Sequence, residues 1–459
     1  MAERYDVVVI GAGPSGMATA AEASATGLRV ALVDQQARVG GAYWRHEPAH
    51  AAADETGMHH DWTTFRRLQA RLESVDLLAS HAVWSIDRED GLFVVRATRG
   101  EVERAPVRLT AQHVVVATGA HERVVPFRGW TLPGVMTAGG GQGLVKGTGV
   151  VPGRRVLVAG TGPLLLVVAD TMLRAGVDVV AVVERGHPLG YGLRPSSWSG
   201  AASRSREAAA YVRNLAAHRV PFHAGYRVVS AEGIDRVERV TLASRRGRRR
   251  GYDVDALLVS DGFTPQLELL VQAGARTRTD DDGSLGVTVD VGQRTSVPGL
   301  LATGEVTGVG GASLAILEGY VAGRSITGRD VDPALHDRLE VHRRFARAMH
   351  AVHAVDASAV AELPDDELVC RCEEVTAGRI RAACRDLGAD DPRAAKLMTR
   401  AGMGLCQGRT CGRTVADLVA LTSGRPVALD DAPRWAGRLP ATPVTLAALA
   451  QEAAGVDQA

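Results

Sequence analysis

Residues 5–10, Tyr-Asp-Val-Val-Val-Ile, form a short apolar run rich in β-branched side chains, the pattern of a strand buried on both faces. A glycine turn follows, then an Ala-rich stretch over residues 15–26 that reads as a helix, then a second apolar run over 29–34. Strand, helix, strand in that order makes a parallel pair, because parallel neighbours need a crossover connection. The same plan returns as a strand at 155–159, a helix from about 164 to 175 and a strand at 178–184, so two units of one architecture are expected. Between them lie His113-Val-Val-Val-Ala-Thr-Gly-Ala120 and a glycine-rich connection, 137–149. Residues 299–305, Gly-Leu-Leu-Ala-Thr-Gly-Glu, read as a strand leading back into the first unit, which makes the second an insertion within it. Leu335, Leu339, Phe345, Met349 and Val352 stand near helical spacing and predict a connecting helix over 332–355. Pro426, Pro433, Pro440 and Pro443 predict an extended tail lying on a surface. The expected division is 1–149 with 285–330, 150–284, a linker at 331–365, a cysteine-bearing module at 366–425 and the tail at 426–459.

The net charge of +1 gives no bulk attraction to nucleic acid or to an acidic membrane surface. One basic cluster, Arg245-Arg-Gly-Arg-Arg-Arg250, sits between the strand-like runs 237–243 and 253–259 and reads as a solvated hairpin tip. No stretch approaches the ~20 apolar residues of a membrane span, and Gly11, Gly13 and Pro14 break the N-terminal apolar run, so the chain reads as soluble and cytoplasmic. All five cysteines fall at or after Cys370, which favours one late metal module over a disulfide framework.

Gly11-Ala-Gly13-Pro14-Ser15-Gly16 follows a strand and opens a helix. The first glycine permits the turn, the second lets backbone approach a pyrophosphate at the helix N-terminus, and the third lets helix pack on strand. Asp34 ends the second strand, where an acid accepts a ribose hydroxyl. Gly40-Gly41-Ala-Tyr-Trp-Arg45 resembles the loop that runs along the flavin in flavoproteins with two dinucleotide domains. Ala117-Thr118-Gly119-Ala120 resembles their mid-chain glycine turn, and Ala302-Thr-Gly304-Glu305 their second FAD motif, with Glu where Asp is usual. FAD is therefore the expected ligand. In the second unit Gly160-Thr-Gly162-Pro-Leu-Leu165 has Leu in place of the third glycine, while Glu184 supplies an acid suited to an unphosphorylated ribose. NAD, another adenine nucleotide, or nothing binds there on this reading. With no cysteine before 370, dithiol chemistry at the flavin is excluded on this chain. The histidines, His46, His59, His60 and His121 among them, show no metal spacing tied to an acid and read as structural or surface residues.

Cys370-Arg-Cys372 and Cys406-Gln-Gly-Arg-Thr-Cys411 are two close thiolate pairs, one for each iron of a [2Fe–2S] cluster. Zinc is the competing metal, though Cys-x-Cys is tight for a single tetrahedral ion. Cys411 opens an expected helix at 413–421. Cys384 falls on the apolar side of a helix at 376–386 and reads as a packed thiol, not a ligand.

Three segments resemble the alpha-type subunits of heteromeric amine and imino-acid dehydrogenases, the group of opine oxidases, proline and hydroxyproline dehydrogenases and hydrogen cyanide synthase. They are Leu132-Pro-Gly-Val-Met-Thr-Ala-Gly-Gly-Gly-Gln142, the Pro-Leu-Leu-Leu run after Gly162, and Thr399-Arg-Ala-Gly-Met-Gly-Leu-Cys-Gln-Gly-Arg-Thr-Cys-Gly412. The cysteine segment is similar to bacterioferritin-associated ferredoxin, whose second pair is Cys-x2-Cys where this chain has Cys-x4-Cys. The resemblance implies an α/β fold: two Rossmann-like dinucleotide-binding domains, one inserted in the other, plus a small C-terminal helical [2Fe–2S] module. It implies FAD and the cluster as cofactors. As partners it implies a second flavoprotein subunit that oxidises the substrate and, further, a small ferredoxin-like subunit. The function it implies is that of an electron-transfer subunit. The alternative is a self-sufficient NADH-dependent ferredoxin-type reductase, and the third class is a nucleotide-binding scaffold without catalysis.

Overall fold

In a computed structural model, the structure describes residues 3–47, 57–100, 104–187, 190, 201–279, 285–354, 358–425, 437 and 439–456. The apolar run at the N-terminus becomes the strand Glu3–Ile10, buried from Val7 to Ile10. It lies at the centre of a seven-stranded sheet, parallel to Val30–Val33 on one side and to Ala105–Val116 on the other, with Val8 opposite Ala31 and Val114. Leu300–Ala302 pairs in parallel with the far edge of Ala105–Val116, Leu301 opposite Val115, so the chain does return to its first sheet after the second unit. The N-terminal half of Ala105–Val116 continues into an antiparallel layer with Leu92–Arg99 and His81–Glu89. The helices Pro14–Ser24 and Ala312–Thr327 cover one face, packed closely because Gly319 and Gly323 lie over Ser15 and Thr19.

The second sheet is wholly parallel, in the order Phe222–Ala224, Asp178–Glu184, Arg155–Thr161, Ala256–Asp261, Val135–Thr137. Its last strand is a difference from the expected division. Residues 135–149 belong to this sheet and not to the first unit, because the glycine-rich stretch is the helix Ala138–Thr148, packed on the helix Leu164–Arg174. Glycine in a helix costs about 1 kcal/mol each, which hid it. Conversely, Phe263–Pro265 pairs with Ala120–Glu122, and Leu267, Leu269 and Leu270 enter the first core, so the inserted unit ends near 262. The arginine cluster is split. The hairpin is Arg239–Ser244 with Arg249–Asp253, which puts Arg249 and Arg250 in a strand, while Ala256–Asp261 belongs to the second sheet.

The helix Pro333–Val352 follows, capped by Asp332, and the cysteine module gathers the helices Ala377–Leu387, Pro392–Thr399 and Gly412–Thr422 around a core of its own. Val125 enters that core, Arg123 pairs with the buried Asp417 at 2.7 Å, and Trp130 Nε1 donates to the Leu368 carbonyl at 2.8 Å, which fixes the module to the body. The tail is not extended throughout. Residues 446–456 are the helix Leu446–Val456, and the stretch before it returns to this chain's first sheet: Ala441 N donates to Trp84 O at 2.9 Å, and Arg104 reaches Pro443 O at 2.8 Å. Pro426 and Pro433 lie outside the described residues. Among the described residues, no helix is long and apolar enough to cross a membrane.

Candidate functional site

The first glycine turn is built by close approach. A Cβ on Gly16 would lie 1.8 Å from the Gly11 carbonyl oxygen, so only glycine lets the helix sit there, whereas a Cβ on Gly13 meets nothing within 4 Å. Pro14 and Ser15 occupy the first turn of the helix, whose amides face the open side. Asp34 holds the turn: its carboxylate accepts from Ala12 N at 2.6 Å and from Gln36 N at 2.7 Å. Burial pushes its carboxyl up, against the pull of those two amides and of Arg45. Gly41 lies over Gly13, and Gly40 N donates to Ala12 O at 2.8 Å, so the loop expected beside the flavin does cross the turn. Its larger side chains point elsewhere. Trp44 is fully buried against Phe65 in the core shared with the helix Pro14–Ser24, and the Arg45 side chain packs on the helix Ala138–Thr148 at Gly143 and Gly147. His46 and His59 bond the carbonyls of Trp44 and Arg45 and so brace the same loop.

A cleft runs from Gly11 and Asp34 past Thr118 to Gln266, Arg409 and Thr442. Thr118 and Gly119 are tied to Gln266: the side-chain amide donates to Thr118 O at 2.9 Å and the backbone amide to Gly119 O at 3.0 Å. Arg409 and Thr442 come from the cysteine loop and the tail, and no turn, acid or glycine signal marked them in the sequence.

Gly304, at φ +78°, brings the second motif against the first, since a Cβ there would lie 2.5 Å from Ser15 Oγ. Its amide donates to Glu318 at 3.0 Å, and Glu318, buried on the helix Ala312–Thr327, also accepts from Thr307 Oγ1 at 2.8 Å and from Arg343 at 3.2 Å. Sequence reading missed Glu318; a carboxylate in the middle of an apolar helix face was the available signal. Glu305 is turned to its own chain, Oε1 accepting from Gly311 N at 2.8 Å and Gly310 N at 3.4 Å ahead of that helix. Both contacts lie at the N-terminal approach to the helix that follows the motif. Burial pushes the Glu305 carboxyl up to about 7, the two amides pulling the other way.

The second glycine turn has the same outline and another occupant. Glu184 accepts from Gly162 N at 2.9 Å, Thr161 Oγ1 at 2.7 Å and Gly186 N at 2.8 Å, and lies 3.4 Å from His353 Nδ1. His353 and Val352 end the helix Pro333–Val352; the Val352 carbonyl lies 3.2 Å from the position of a Cβ on Gly186, and its side chain 3.4 Å from one on Gly190. Burial would raise the Glu184 carboxyl, but the bonds with His353, Gly186 and Thr161 outweigh it and hold it below the ordinary range. A cavity does open on the other side of Gly160. The three arginines lining it are paired: Arg185 with Asp261 at 2.8 Å, Arg227 with Glu362 and Arg128 with Asp366.

The cysteine loops meet face to face. A Cβ on Gly404 would clash with Cys372 at 2.2 Å, so glycine allows the second loop to lie on the first. Cys372 and Cys406 sulfurs stand 3.8 Å apart, and Cys370 bonds Cys411. These close contacts run between the two segments. Cys384 is half-buried against the module core, away from this group. The Cys370 thiol is held down to about 5, chiefly by Cys411 and, against burial, by the amides of Gly402, Glu373 and Cys372, while Cys411 is pushed up. Four sulfurs this close do not all ionise without positive charge among them, which a metal centre supplies. Two pairs of thiolates are the donor set of a [2Fe–2S] cluster, two to each iron.

Comparison with known proteins agrees with both centres. Residues 5–324 match the pyridine nucleotide-disulphide oxidoreductase family, and residues 368–420 match the BFD-like [2Fe-2S] binding domain. An opine oxidase subunit of Agrobacterium tumefaciens is 32% identical over 98% of this chain and 92% of its own length. Hydrogen cyanide synthase subunit HcnB of Pseudomonas aeruginosa is 32% identical over 91% of this chain and 93% of its own. The crystal structure of L-proline dehydrogenase from P. horikoshii superposes with a TM-score of 0.71 over 98% of this chain and 80% of its own, at 23% identity.

Proposed function

The chain belongs to the pyridine nucleotide-disulphide oxidoreductase family, and on that premise we propose how it serves as the FAD- and [2Fe–2S]-containing electron-transfer subunit of a heteromeric dehydrogenase: reducing equivalents come from a partner flavoprotein that oxidises an amino- or imino-acid, and not from a nicotinamide nucleotide. The flavin accepts an electron pair, and the cluster carries electrons singly. We assign FAD to Gly11, Gly13, Pro14, Ser15, Gly16, Asp34, Gly41, Thr118 and Gly119, and the cluster to Cys370, Cys372, Cys406 and Cys411. Gly304 packs against Ser15 at the start of the first helix, Glu305 is held by the amides of Gly310 and Gly311, and Arg45 braces the loop of Gly41. The glycine turn keeps the cleft open, the helix N-terminus favours the pyrophosphate charge, and Asp34 is placed for a ribose hydroxyl.

The observation that carries the choice of electron source is the engagement of the second unit's acid. The acid that a ribose would need, Glu184, is spent on Gly162, Thr161, Gly186 and His353. This supports the partner-fed subunit over a self-sufficient NADH-dependent reductase. The names of the relatives, opine oxidase and hydrogen cyanide synthase subunits, suggest small amino-acid derivatives as the substrates of the assembled enzyme. A third, small ferredoxin-like subunit fits the same assembly. Five thiols with no disulfide framework fit a reducing, cytoplasmic setting.

The test is to purify the chain alone and together with a candidate partner flavoprotein and assay proline, hydroxyproline, opines and glycine with an artificial acceptor. Amine oxidation only with the partner supports the reading; strong oxidation by the isolated chain overturns it. In the same preparation, Cys411→Ser and Cys370→Ser should lose iron and acid-labile sulfide, while Cys384→Ser keeps both.

A further inference from the structure

Arg409 lies between two of the cysteines assigned to the cluster, yet its side chain faces away from the sulfurs. It lines the cleft that begins at Gly11 and Asp34. Three contacts hold it there: Nε lies 3.4 Å from Glu268 Oε1, Nη2 donates to the Ala441 carbonyl at 2.7 Å, and Nη1 lies 3.5 Å from the Cys406 carbonyl. Glu268 is buried at the start of the short helix Glu268–Gln272, part of the first core. Ala441 is itself fixed on the first sheet by its bond to Trp84, and Thr442 by its bond to Val83 O at 3.1 Å. One side of the cleft is thus the first domain, and the other is made by the cysteine module and the tail.

A guanidinium in such a place has a definite chemistry. It carries a permanent positive charge and directed donors, which suit a phosphate or the acceptor edge of a base. With Glu268 and the tail holding it, little side-chain freedom is left to lose on binding.

We propose that Arg409 is an FAD-binding residue supplied by the iron–sulfur module, and that the flavin cleft is complete only when the module and residues 439–445 are docked. This rests on the assignment of FAD to the first glycine turn. Flavin that binds only the docked arrangement stabilises docking by its own binding free energy, and the coupling is reciprocal. The flavin and the cluster loop are then brought together by one event, and a chain without flavin holds its cluster loop less firmly.

The full chain, with its cluster intact, is stripped of flavin and titrated with FAD. Arg409→Gln should weaken FAD binding about tenfold, the loss of one charge-assisted contact, with iron and sulfide content unchanged and Arg409→Lys in between. Wild-type affinity in Arg409→Gln overturns the proposal. Should that variant also lose iron, hydrogen exchange of the unaltered chain decides: FAD must slow exchange in residues 406–411 and 439–445, and no change there overturns the proposal. Gly13→Val separates the two levels. If it keeps full flavin, the FAD assignment itself falls; if it loses flavin while Arg409→Gln does not, only the role of Arg409 falls.

Discussion

At the first glycine turn the acid after the second strand, Asp34, accepts from two amides of its own loop and still lines a cleft that runs on to Thr118 and Arg409. At the second, Glu184 stands at the equivalent place but accepts from two amides, a hydroxyl and the histidine that ends a helix from another part of the chain. The third position differs too, Gly16 beneath the Gly11 carbonyl and Leu165 buried in the second core. The acid thus stays on the cleft in one copy and is drawn to a distant helix in the other, although a Cβ on the second glycine of either turn, Gly13 or Gly162, would meet nothing within 4 Å. A dinucleotide fold is no evidence of a dinucleotide; the partners of its acid are.

The largest effect should come from filling the open turn. Gly13→Val places a side chain where no atom now stands, so the purified protein should lose essentially all flavin absorbance while retaining its iron. Gly162→Ala, the parallel change in the second turn, should leave flavin and iron alone and lower stability by about 1–2 kcal/mol, because Gly162 has φ +103°. Flavin loss from Gly162→Ala would break the contrast. Next in size is His353→Ala, which takes a partner from a buried carboxylate; chemical denaturation should register a loss of about 2 kcal/mol. Any new binding of NADH should appear in this variant and not in the unaltered chain.

The smallest effects are in the pH dependence, where one acid from each unit should act with opposite sign. Glu184 is held below its ordinary value, so its stabilisation is fully present above about 4.5 and lost as the pH falls through the lower folded value. Glu184→Gln should therefore soften the acid-side loss of stability. Glu305 is raised to about 7, so the folded chain keeps a proton that the unfolded chain has released, and stability declines as pH rises from about 4.5 to 7. In flavin-free protein Glu305→Gln should flatten that decline, worth at most about 3 kcal/mol. Equal slopes in variant and parent would show that these carboxylates do not carry the shifts.

Much of this was legible because backbone needs dictate residue types locally. Gly11, Gly13, Gly16 and Asp34 declare a turn and its acid within one βαβ unit, and Asp178–Glu184 declares a buried strand by composition alone. What stayed hidden depends on distant contacts. Nothing near residue 184 shows that His353 lies against it, and nothing near Cys411 shows that Arg409 faces the cleft. Nor does the loop Gly40–Arg45 show by itself that its Trp44 packs inward on Phe65. The helix Ala138–Thr148 was concealed by five glycines whose cost its packing offsets.

The most direct measurement of the central claim is anaerobic reduction of the purified chain, followed by its flavin absorbance. With excess NADH the absorbance should stay constant, whereas addition of the substrate-reduced partner flavoprotein should bleach it. Rapid bleaching by NADH alone would show the second site to be a working nicotinamide site and would contradict the account.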